Sequence, residues 1–387
     1  MTNSRQTEQL NMFAQEKLDK LESLQRRRVL HPTERGMASS AMRDGHMVLS
    51  FCDNDYLGLS QHPRVIAAAG ASAIRHGAGS GGSRLICGDS PLNHELESLI
   101  SQIKGMEATR LFGSGYLANI ALAPALVGRG DIIVMDELSH ACMHAGATLS
   151  GAEIRVFRHN DVDHARSLLV DNRPEGSRAL LMTETVFSMD GDLAPLEALG
   201  ELCDAHDAWM MTDDAHGFGI IKQANPAPIQ MGTLSKAAGV YGGYVSGPAK
   251  LMDLFITRAR PFVFHTGLPP QVLGAAIESL KVMRDEPQLA QAAMNNARNF
   301  CRIVGLPDPQ STIVPVIIGG EEETMALMQK LLDAGYHVAG IRPPTVPVGT
   351  SRLRVTFSAA HEEEDVVGLA ETLRSLLNEI RTDMQVV

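Results

Sequence analysis

Near the middle of the chain, two short apolar runs, residues 208–212 and 228–231, each stop at a group of polar residues. Runs of this kind are typical of buried strands in a parallel sheet. The polar residues are Asp213 and His216 after the first run, and Thr233, Ser235 and Lys236 after the second. Ligands bind outside the carboxyl ends of such strands. The sequence therefore predicts that an acid, an imidazole, two hydroxyls and an amine meet at one edge of a sheet.

This set of groups is suited to pyridoxal phosphate. That cofactor needs a lysine to bind its aldehyde, an acid to keep its ring nitrogen protonated, and hydroxyl or amide donors for its phosphate. At an effective dielectric constant of about 20, an ion pair at about 4 Å contributes about 4 kcal/mol. This energy equals roughly 3 pKa units, enough to keep a pyridine nitrogen charged at neutral pH. We therefore predict that Lys236 attaches the cofactor and that Asp213 pairs with its ring.

The composition narrows the class of protein. A chain of 387 residues can bury a large core. Its net charge of −11 argues against nucleic acid or an anionic membrane surface as the main partner. The five cysteines are scattered, and no run is long enough to cross a bilayer. We expect a cytoplasmic protein with reduced thiols, no membrane segment and no metal site.

Two glycine-rich segments have different interpretations. Residues 109–119 run from a strand through glycines into a helix, so the free amides of Gly115 and Tyr116 would bind a phosphate; an ordinary tight turn is the alternative. Residues 77–84 contain the dinucleotide pattern Gly-x-Gly-x-x-Gly. That pattern follows a helical stretch, 65–75, and not a strand, which argues against a dinucleotide site.

The order of the elements predicts the architecture. Apolar strands at 131–136, 154–157 and 179–184 alternate with helical stretches, which is typical of a doubly wound, mainly parallel α/β sheet. From about residue 271 the pattern changes to a smaller α+β domain, with strands at 336–341 and 353–357. We expect three parts, listed by range: an N-terminal helix and arm (1–45), a large cofactor-binding domain (46–277) and a small C-terminal domain (278–387).

Several motifs also carry a family resemblance. They are Asp-Asp-Ala-His-Gly at 213–217, Thr-Leu-Ser-Lys-Ala at 233–237, Val-Phe-Ser-Met-Asp-Gly-Asp at 186–192 and Asn-Asp-Tyr-Leu-Gly-Leu at 54–59. Together they resemble the α-oxoamine synthases, pyridoxal-phosphate enzymes of fold type I that condense an amino acid with an acyl-CoA and release carbon dioxide. The resemblance covers residues 24 to 377 and implies a homodimer whose sites lie across the subunit boundary.

The resemblance assigns roles to further residues around the cofactor. It implies that His140 stacks on the pyridine ring and that Ser188 lies near the phenolic oxygen together with His216. It also implies that Thr266, in the segment 264–270, reaches the phosphate of the partner subunit. His265 stands where serine is usual in the family, which leaves the phosphate contacts open. Glu184 could be a residue of this site or, equally, a structural acid that orients its neighbours.

The amino-acid substrate needs a donor for its carboxylate, and arginine supplies a bidentate one. Arg352 and Arg354 occupy alternate positions of one predicted strand and so share a face. Arg354 matches the carboxylate arginine of the family, although both arginines could instead lie on a solvated edge strand. The resemblance adds Asn54 and Thr345 as substrate contacts.

A further arginine is predicted near the N-terminus. A helix with leucines at helical spacing is predicted to end in three arginines at 26–28. The resemblance implies that one of them binds substrate at a neighbouring subunit; Arg26 is our choice, with Arg27 and Arg28 as the alternatives. The alternative is a surface helix with a solvated basic end.

The segment 341–354 is most similar to the branch of the family that joins L-alanine to a pimeloyl thioester. In this hypothesis Lys236 also removes the Cα proton of the amino acid. One alternative is a glycine-using enzyme of the aminolevulinate or aminoketobutyrate synthase type. Another is a non-catalytic partner subunit, but such relatives lack the lysine that is present here. The segment 220–230 is shorter than in many family members, so the length of the acyl chain and its carrier, CoA or carrier protein, stay open.

Overall fold

A computed structural model describes residues 4–24 and 26–385 of the chain. The strands are β1 (Thr33–Arg35), β2 (Ser40–Arg43), β3 (His46–Ser50), β4 (Ala108–Phe112), β5 (Ile132–Asp136), β6 (Glu153–Phe157), β7 (Ala179–Glu184), β8 (Trp209–Asp213), β9 (Ile229–Thr233), β10 (Gly243–Gly247), β11 (Ile313–Gly319), β12 (Tyr336–His337), β13 (Ala339–Ile341) and β14 (Ser351–Thr356). The helices are α1 (Arg5–Ser23), α2 (Pro63–His76), α3 (Pro91–Lys104), α4 (Gly115–Leu126), α5 (Ala141–Ser150), α6 (Val162–Val170), α7 (Leu196–Ala205), α8 (Ala249–Arg258), α9 (Arg260–Val263), α10 (Pro270–Asp285), α11 (Gln288–Val304), α12 (Glu321–Asp333) and α13 (Glu363–Gln385).

The largest sheet has seven strands in the order β4-β10-β9-β8-β7-β5-β6. Only β10 runs antiparallel to its neighbours, β4 and β9, and the remaining pairs are parallel. Every residue of β5 and β7 is buried, as expected for strands covered by helices on both faces. The mainly parallel α/β fold predicted from the sequence is confirmed. Since β5, β7, β8 and β9 run in one direction, their carboxyl ends form one edge of the sheet.

Two smaller sheets accompany the large one. A four-stranded sheet has the order β1-β2-β3-β12, and a three-stranded sheet has the order β11-β14-β13. The predicted single strand at 336–341 is wrong, because the segment divides at the buried residue Val338. Its first part, β12, pairs with β3, whereas its second part, β13, pairs with β14. One segment therefore joins two sheets.

The central position of β14 settles one alternative about its arginines. Strand β11 pairs with it along its length, and β13 pairs on the other side with the part from Arg352 to Arg354. The relative exposure of Arg352 is 4% and that of Arg354 is 5%. The interpretation as a solvated edge strand is therefore wrong.

The N-terminal helix also differs from the prediction. Helix α1 ends at Ser23, so the arginines at 26–28 follow the helix and do not belong to it. The Arg26 guanidinium lies 3.4 Å from Glu321 at the start of α12, a long-range contact made by the segment that follows the helix. No residue of α1 is buried by the rest of the described chain. The apolar face of α1, which includes Leu10 and Phe13, is exposed.

The predicted domain bounds remain a prediction. The boundary at residues 277 and 278 falls within α10, which packs against α2. A separate hydrophobic cluster joins α11, α12 and α13 to the three-stranded sheet and includes Phe51. Among the helices that the structure describes, none combines the length and the apolar character that a bilayer span requires.

Candidate active site

A cavity of about 200 Å³ lies at the carboxyl ends of β8 and β9. Its lining includes most of the cofactor residues predicted from the sequence: Gly115, Tyr116, His140, Asp213, His216, Thr233, Ser235 and Lys236. These residues come from four separate segments of the chain, brought together by the parallel strands. The lining also includes Asn119, Cys142 and Glu184, which were not predicted as cofactor residues.

Two adjacent acids, Asp213 and Asp214, have different partners. The Asp213 carboxylate accepts hydrogen bonds from Asn119 Nδ2 at 2.7 Å and from the Ala215 amide at 2.8 Å. Asp214 instead binds Lys104 Nζ at 2.6 Å and the Thr185 hydroxyl at 2.6 Å. Asp214 therefore already has a cationic partner. Asp213 faces the cavity with neutral donors alone, which leaves it available to a cationic ligand.

Burial shifts the pKa values of the ionisable groups in the cavity. Desolvation, reinforced by the charge of Asp213, raises the pKa of Glu184 well above its usual range. Desolvation also raises the pKa of Asp213, although the Lys236 charge opposes the shift. The pKa of Lys236 is lowered, again mainly by desolvation. Neighbouring acids disfavour each other's ionisation, whereas the hydrogen bond that Glu184 Oε1 accepts from the His140 amide at 2.6 Å opposes the rise in the Glu184 pKa.

His216 belongs to a chain of polar groups that leads to Arg354. Its Nδ1 lies 2.6 Å from the hydroxyl of Tyr56, which also donates to Asn54 Oδ1 at 3.1 Å. Arg354 Nη2 donates to the same Asn54 oxygen at 3.3 Å. Burial, with the positive charges of Lys236 and Arg354, lowers the pKa of His216 well below its usual value, so its imidazole is neutral. Burial raises the pKa of Tyr56 to about 12, so its hydroxyl keeps its proton.

The start of helix α4 forms one wall of the cavity. The helix begins at Gly115, and the Ser114 hydroxyl caps it by accepting from the Leu117 amide at 3.2 Å. Gly115 packs so closely on Thr233 that an added Cβ would lie 3.2 Å from the Thr233 Cβ. The Thr233 hydroxyl lies 2.8 Å from that of Ser235. Amides of a first helical turn and two hydroxyls thus face one space, which is how proteins bind a phosphate.

The remaining predicted residues lie outside this cavity. Ser188 and Thr345 line a second cavity of about 770 Å³, which shares His140 with the first. Arg354 and Asn54 reach the first cavity through Tyr56, and Arg354 Nε also donates to the Ser188 carbonyl. Arg26 and Thr266 line neither cavity. Thr266 is exposed and forms a bridge with Ser83 in the glycine-rich segment 77–84.

Besides Cys142 on the cavity wall, the sequence analysis missed two residues of the site, Tyr56 and Asn119. Both lie within motifs that had been recognised: Tyr56 is two residues after Asn54, and Asn119 is the last residue of the segment 109–119. Their contacts with His216 and Asp213 join positions 160 and 94 residues apart. Their position within recognised motifs could have marked both residues as part of the site, but no spacing in the sequence indicates those contacts.

The residues of the cavity fit pyridoxal phosphate. Asp213 supplies a buried carboxylate without a hydrogen-bonded cation, and the predicted phosphate-binding groups line the same cavity. Asn119 Oδ1 is buried without a hydrogen-bond partner, so the cavity also offers an unused acceptor. Lys236 lines the same cavity, with a lowered pKa that favours the neutral, nucleophilic amine. The cavity therefore offers a carboxylate to a cationic ring nitrogen, an amine to an aldehyde, and amides and hydroxyls to a phosphate.

The model of the aminotransferase class I and II family matches residues 46–373, and the chain belongs to this family. It is a pyridoxal-phosphate-dependent transferase of fold type I, as the resemblance to the α-oxoamine synthases predicted.

Curated relatives of high identity share one name, 8-amino-7-oxononanoate synthase. The chain is 52% identical to an 8-amino-7-oxononanoate synthase of Methylobacterium radiotolerans, over 95% of this chain and 98% of that one. It is 50% identical to an 8-amino-7-oxononanoate synthase of Maricaulis maris, over 95% and 96% of the two chains.

Solved structures share the fold. Serine palmitoyltransferase of Sphingomonas wittichii superposes with a TM-score of 0.89 at 28% identity, covering 96% of this chain and 98% of that one. An 8-amino-7-oxononanoate synthase from Francisella tularensis superposes with a TM-score of 0.73 at 22% identity, covering 86% and 99% of the chains, and supports the fold alone.

Proposed function

We propose that the protein condenses L-alanine with a pimeloyl thioester, on CoA or a carrier protein, to give 8-amino-7-oxononanoate, the free thiol and carbon dioxide. This reaction is a step of biotin biosynthesis. The observation that carries the proposal is the near full-length identity of about half to relatives named for this activity. Lys236 and Asp213 stand in one cavity, which supports a catalytic protein and argues against a non-catalytic partner subunit.

Pyridoxal phosphate, when bound, supplies an electron sink that stabilises negative charge at the Cα of the amino acid. Asp213 would pair with its ring nitrogen, and His140 would stack on the ring. His216 and Ser188 would hold the phenolic oxygen. Its phosphate would be bound by Gly115, Tyr116, Thr233 and Ser235, with Thr266 from a second copy of the chain.

The protein's own groups then carry out the proton transfers. Lys236 Nζ removes the Cα proton and later returns a proton to the product, a role favoured by its lowered pKa. Arg354 binds the carboxylate of the amino acid until that group leaves as carbon dioxide. Asn54 orients the Arg354 guanidinium from 3.3 Å. Thr345, on the wall of the larger cavity, would contact the substrate, and Arg26 would reach it from a neighbouring subunit.

We also propose a homodimer in the cytoplasm. Apolar side chains near the glycine-rich segment are strongly exposed, with 83% for Ile86 and 72% for Phe264. Exposed apolar patches of this kind mark protein interfaces, and Thr266 lies beside Phe264. All five cysteines lie within the described residues and each is a free thiol, which fits a reducing compartment.

The substrates can be tested by a crossed assay. CoA release by the protein loaded with pyridoxal phosphate is measured with pimeloyl-CoA or acetyl-CoA, each combined with L-alanine or glycine. We expect the pimeloyl and alanine pair to give the highest kcat/KM. Preference for glycine with acetyl-CoA would move the protein to the glycine-using branch, which the curated relatives above do not favour. If no pair releases CoA, pimeloyl carrier protein replaces pimeloyl-CoA in the same assay, and absence of product with both carriers would refute the proposed reaction.

Arg354→Lys is expected to weaken amino-acid binding. Lysine keeps the charge but loses the bidentate geometry. Loss of a hydrogen bond to a charged group costs about 1.5–3 kcal/mol, so KM for L-alanine should rise about 10- to 100-fold. KM for the acyl thioester should change little. The matched control is Arg302→Lys, on the exposed side of α11. Equal KM values for alanine in both variants would remove Arg354 from the site.

A further inference from the structure

A histidine outside the cofactor cavity connects two loops that lead into the active site. His159 follows strand β6, and its Nδ1 lies 3.1 Å from Asp136 Oδ1. On the other side of the ring, Nε2 lies 2.8 Å from Asp192 Oδ2. The Phe187 ring packs edge-on against the imidazole, with 4.4 Å between ring centroids. Each ring nitrogen of His159 therefore has its own carboxylate, and the two carboxylates belong to different loops.

The Asp136 contact fixes the loop that carries His140. Asp136 is the last residue of β5 and is completely buried. Its carboxylate also accepts hydrogen bonds from the amides of Leu138 and Asn160, both at 2.9 Å. The His159 amide in turn donates to Glu137 Oε1 at 2.9 Å. Residues 137–140 therefore leave the strand in a direction determined by Asp136 and His159.

The Asp192 contact fixes the second loop, residues 187–193. Asn160 Nδ2 donates to the same Asp192 oxygen at 3.0 Å. This loop carries Ser188, whose carbonyl accepts from Arg354, and Asp190, which forms an ion pair with Arg352. The loop thus carries a predicted cofactor residue and two contacts to the arginines of β14.

We propose that His159 is a positioning residue: by binding Asp136 with one ring nitrogen and Asp192 with the other, it holds the His140 loop and the Ser188 loop at a fixed separation around the cofactor. The inference rests on the proposed cofactor site but not on the identity of the acyl substrate. Donating from both nitrogens requires the imidazolium form. The two carboxylates, with Glu137 nearby, provide the negative surroundings that this form needs, and Phe187 and Asn160 complete the contacts without adding charge.

The pKa of His159 agrees with the charged form. Burial alone would lower it, but the hydrogen bonds to Asp136 and Asp192 raise it to about 10. Because the pKa of a histidine in the unfolded chain is about 6.5, the stabilisation is fully present below that pH and is lost as the pH rises through about 10. The contacts should therefore weaken under alkaline conditions while the rest of the fold persists.

The first test is His159→Gln, with His94→Gln as the matched control. His94 also pairs with an aspartate, Asp89 at 2.6 Å, but on the exposed surface of α3. We expect the dissociation constant for pyridoxal phosphate to rise about 10-fold in the His159 variant. Hydrogen exchange of the apoprotein should be faster at 137–140 and 187–193 and unchanged elsewhere. The control should match the wild type. Unchanged affinity and unchanged exchange in both loops would overturn the proposal, and neither measurement depends on turnover of an acyl substrate.

A second variant, Asp192→Asn, removes one of the two charges while keeping the shape of the side chain. The melting temperature of the apoprotein is followed from pH 6.5 to 10.5. In the wild type, the part of the melting temperature that depends on charged His159 should be lost near pH 10. In Asp192→Asn it should be lost at lower pH, because one carboxylate no longer stabilises the imidazolium. A purely steric role would leave the two pH profiles parallel, and parallel profiles would contradict the proposal.

Discussion

Lys236→Ala should abolish both covalent attachment of pyridoxal phosphate and turnover. In the structure Lys236 lines the cofactor cavity, and desolvation lowers the pKa of its amine. General-base catalysis contributes about 10²- to 10⁴-fold, and the variant also loses the attachment step, so kcat should fall by about 10³-fold or more. Borohydride treatment followed by mass spectrometry should find a cofactor adduct at position 236 in the wild type and none in the variant.

The control for this experiment is Lys250→Ala, which removes an exposed lysine from the first turn of α8. It should keep both the adduct and the turnover of the wild type. If Lys236→Ala retained full activity, the assignment of the base would be wrong. If it lost activity but kept the borohydride adduct, a different lysine would attach the cofactor, and Lys236 would act in proton transfer alone.

Local patterns in the sequence predicted the parts of the fold that depend on a single segment. Apolar runs that stop at polar residues placed Asp213 and Lys236 at strand ends, because a buried strand and its polar end are adjacent in sequence. The same reasoning located the helix that begins at Gly115. The order of the strands in the sheet then brought these ends together, and that order was predicted only at the level of the fold class.

Contacts between distant segments could not be predicted in this way. Tyr56 meets His216, and Asn119 meets Asp213, only after strand order and helix packing are known. The same is true of Arg26, whose contact with Glu321 lies beyond the end of α1. Residues 336–341 form a continuous extended pattern in the sequence, yet they pair with two different sheets. Periodicity describes how a segment is buried but does not identify the partner strand.

Asp213→Asn is the second change with a large expected effect. An ion pair between this carboxylate and a ring nitrogen at about 4 Å contributes about 4 kcal/mol at an effective dielectric constant of about 20. Its loss should lower kcat by about 10³-fold, since a neutral ring is a much weaker electron sink. The absorbance spectrum of the bound cofactor should change as well, because its ring nitrogen loses its proton at neutral pH.

The apoprotein of Asp213→Asn should remain folded, which separates the catalytic effect from misfolding. The new amide oxygen can accept from the Ala215 amide, and an amide flip of Asn119 would turn its unpaired Oδ1 towards the new amide nitrogen. Desolvation raises the folded-state pKa of Asp213 above its unfolded value, so the ionised carboxylate destabilises the apoprotein at neutral pH. This cost decreases as the pH falls through the folded-state pKa and is gone below the unfolded-state pKa. The variant should therefore melt no lower than the wild type at pH 7.5. The control is Asp204→Asn, on the exposed side of α7. If Asp213→Asn had the same kcat as this control, another group would keep the ring nitrogen protonated.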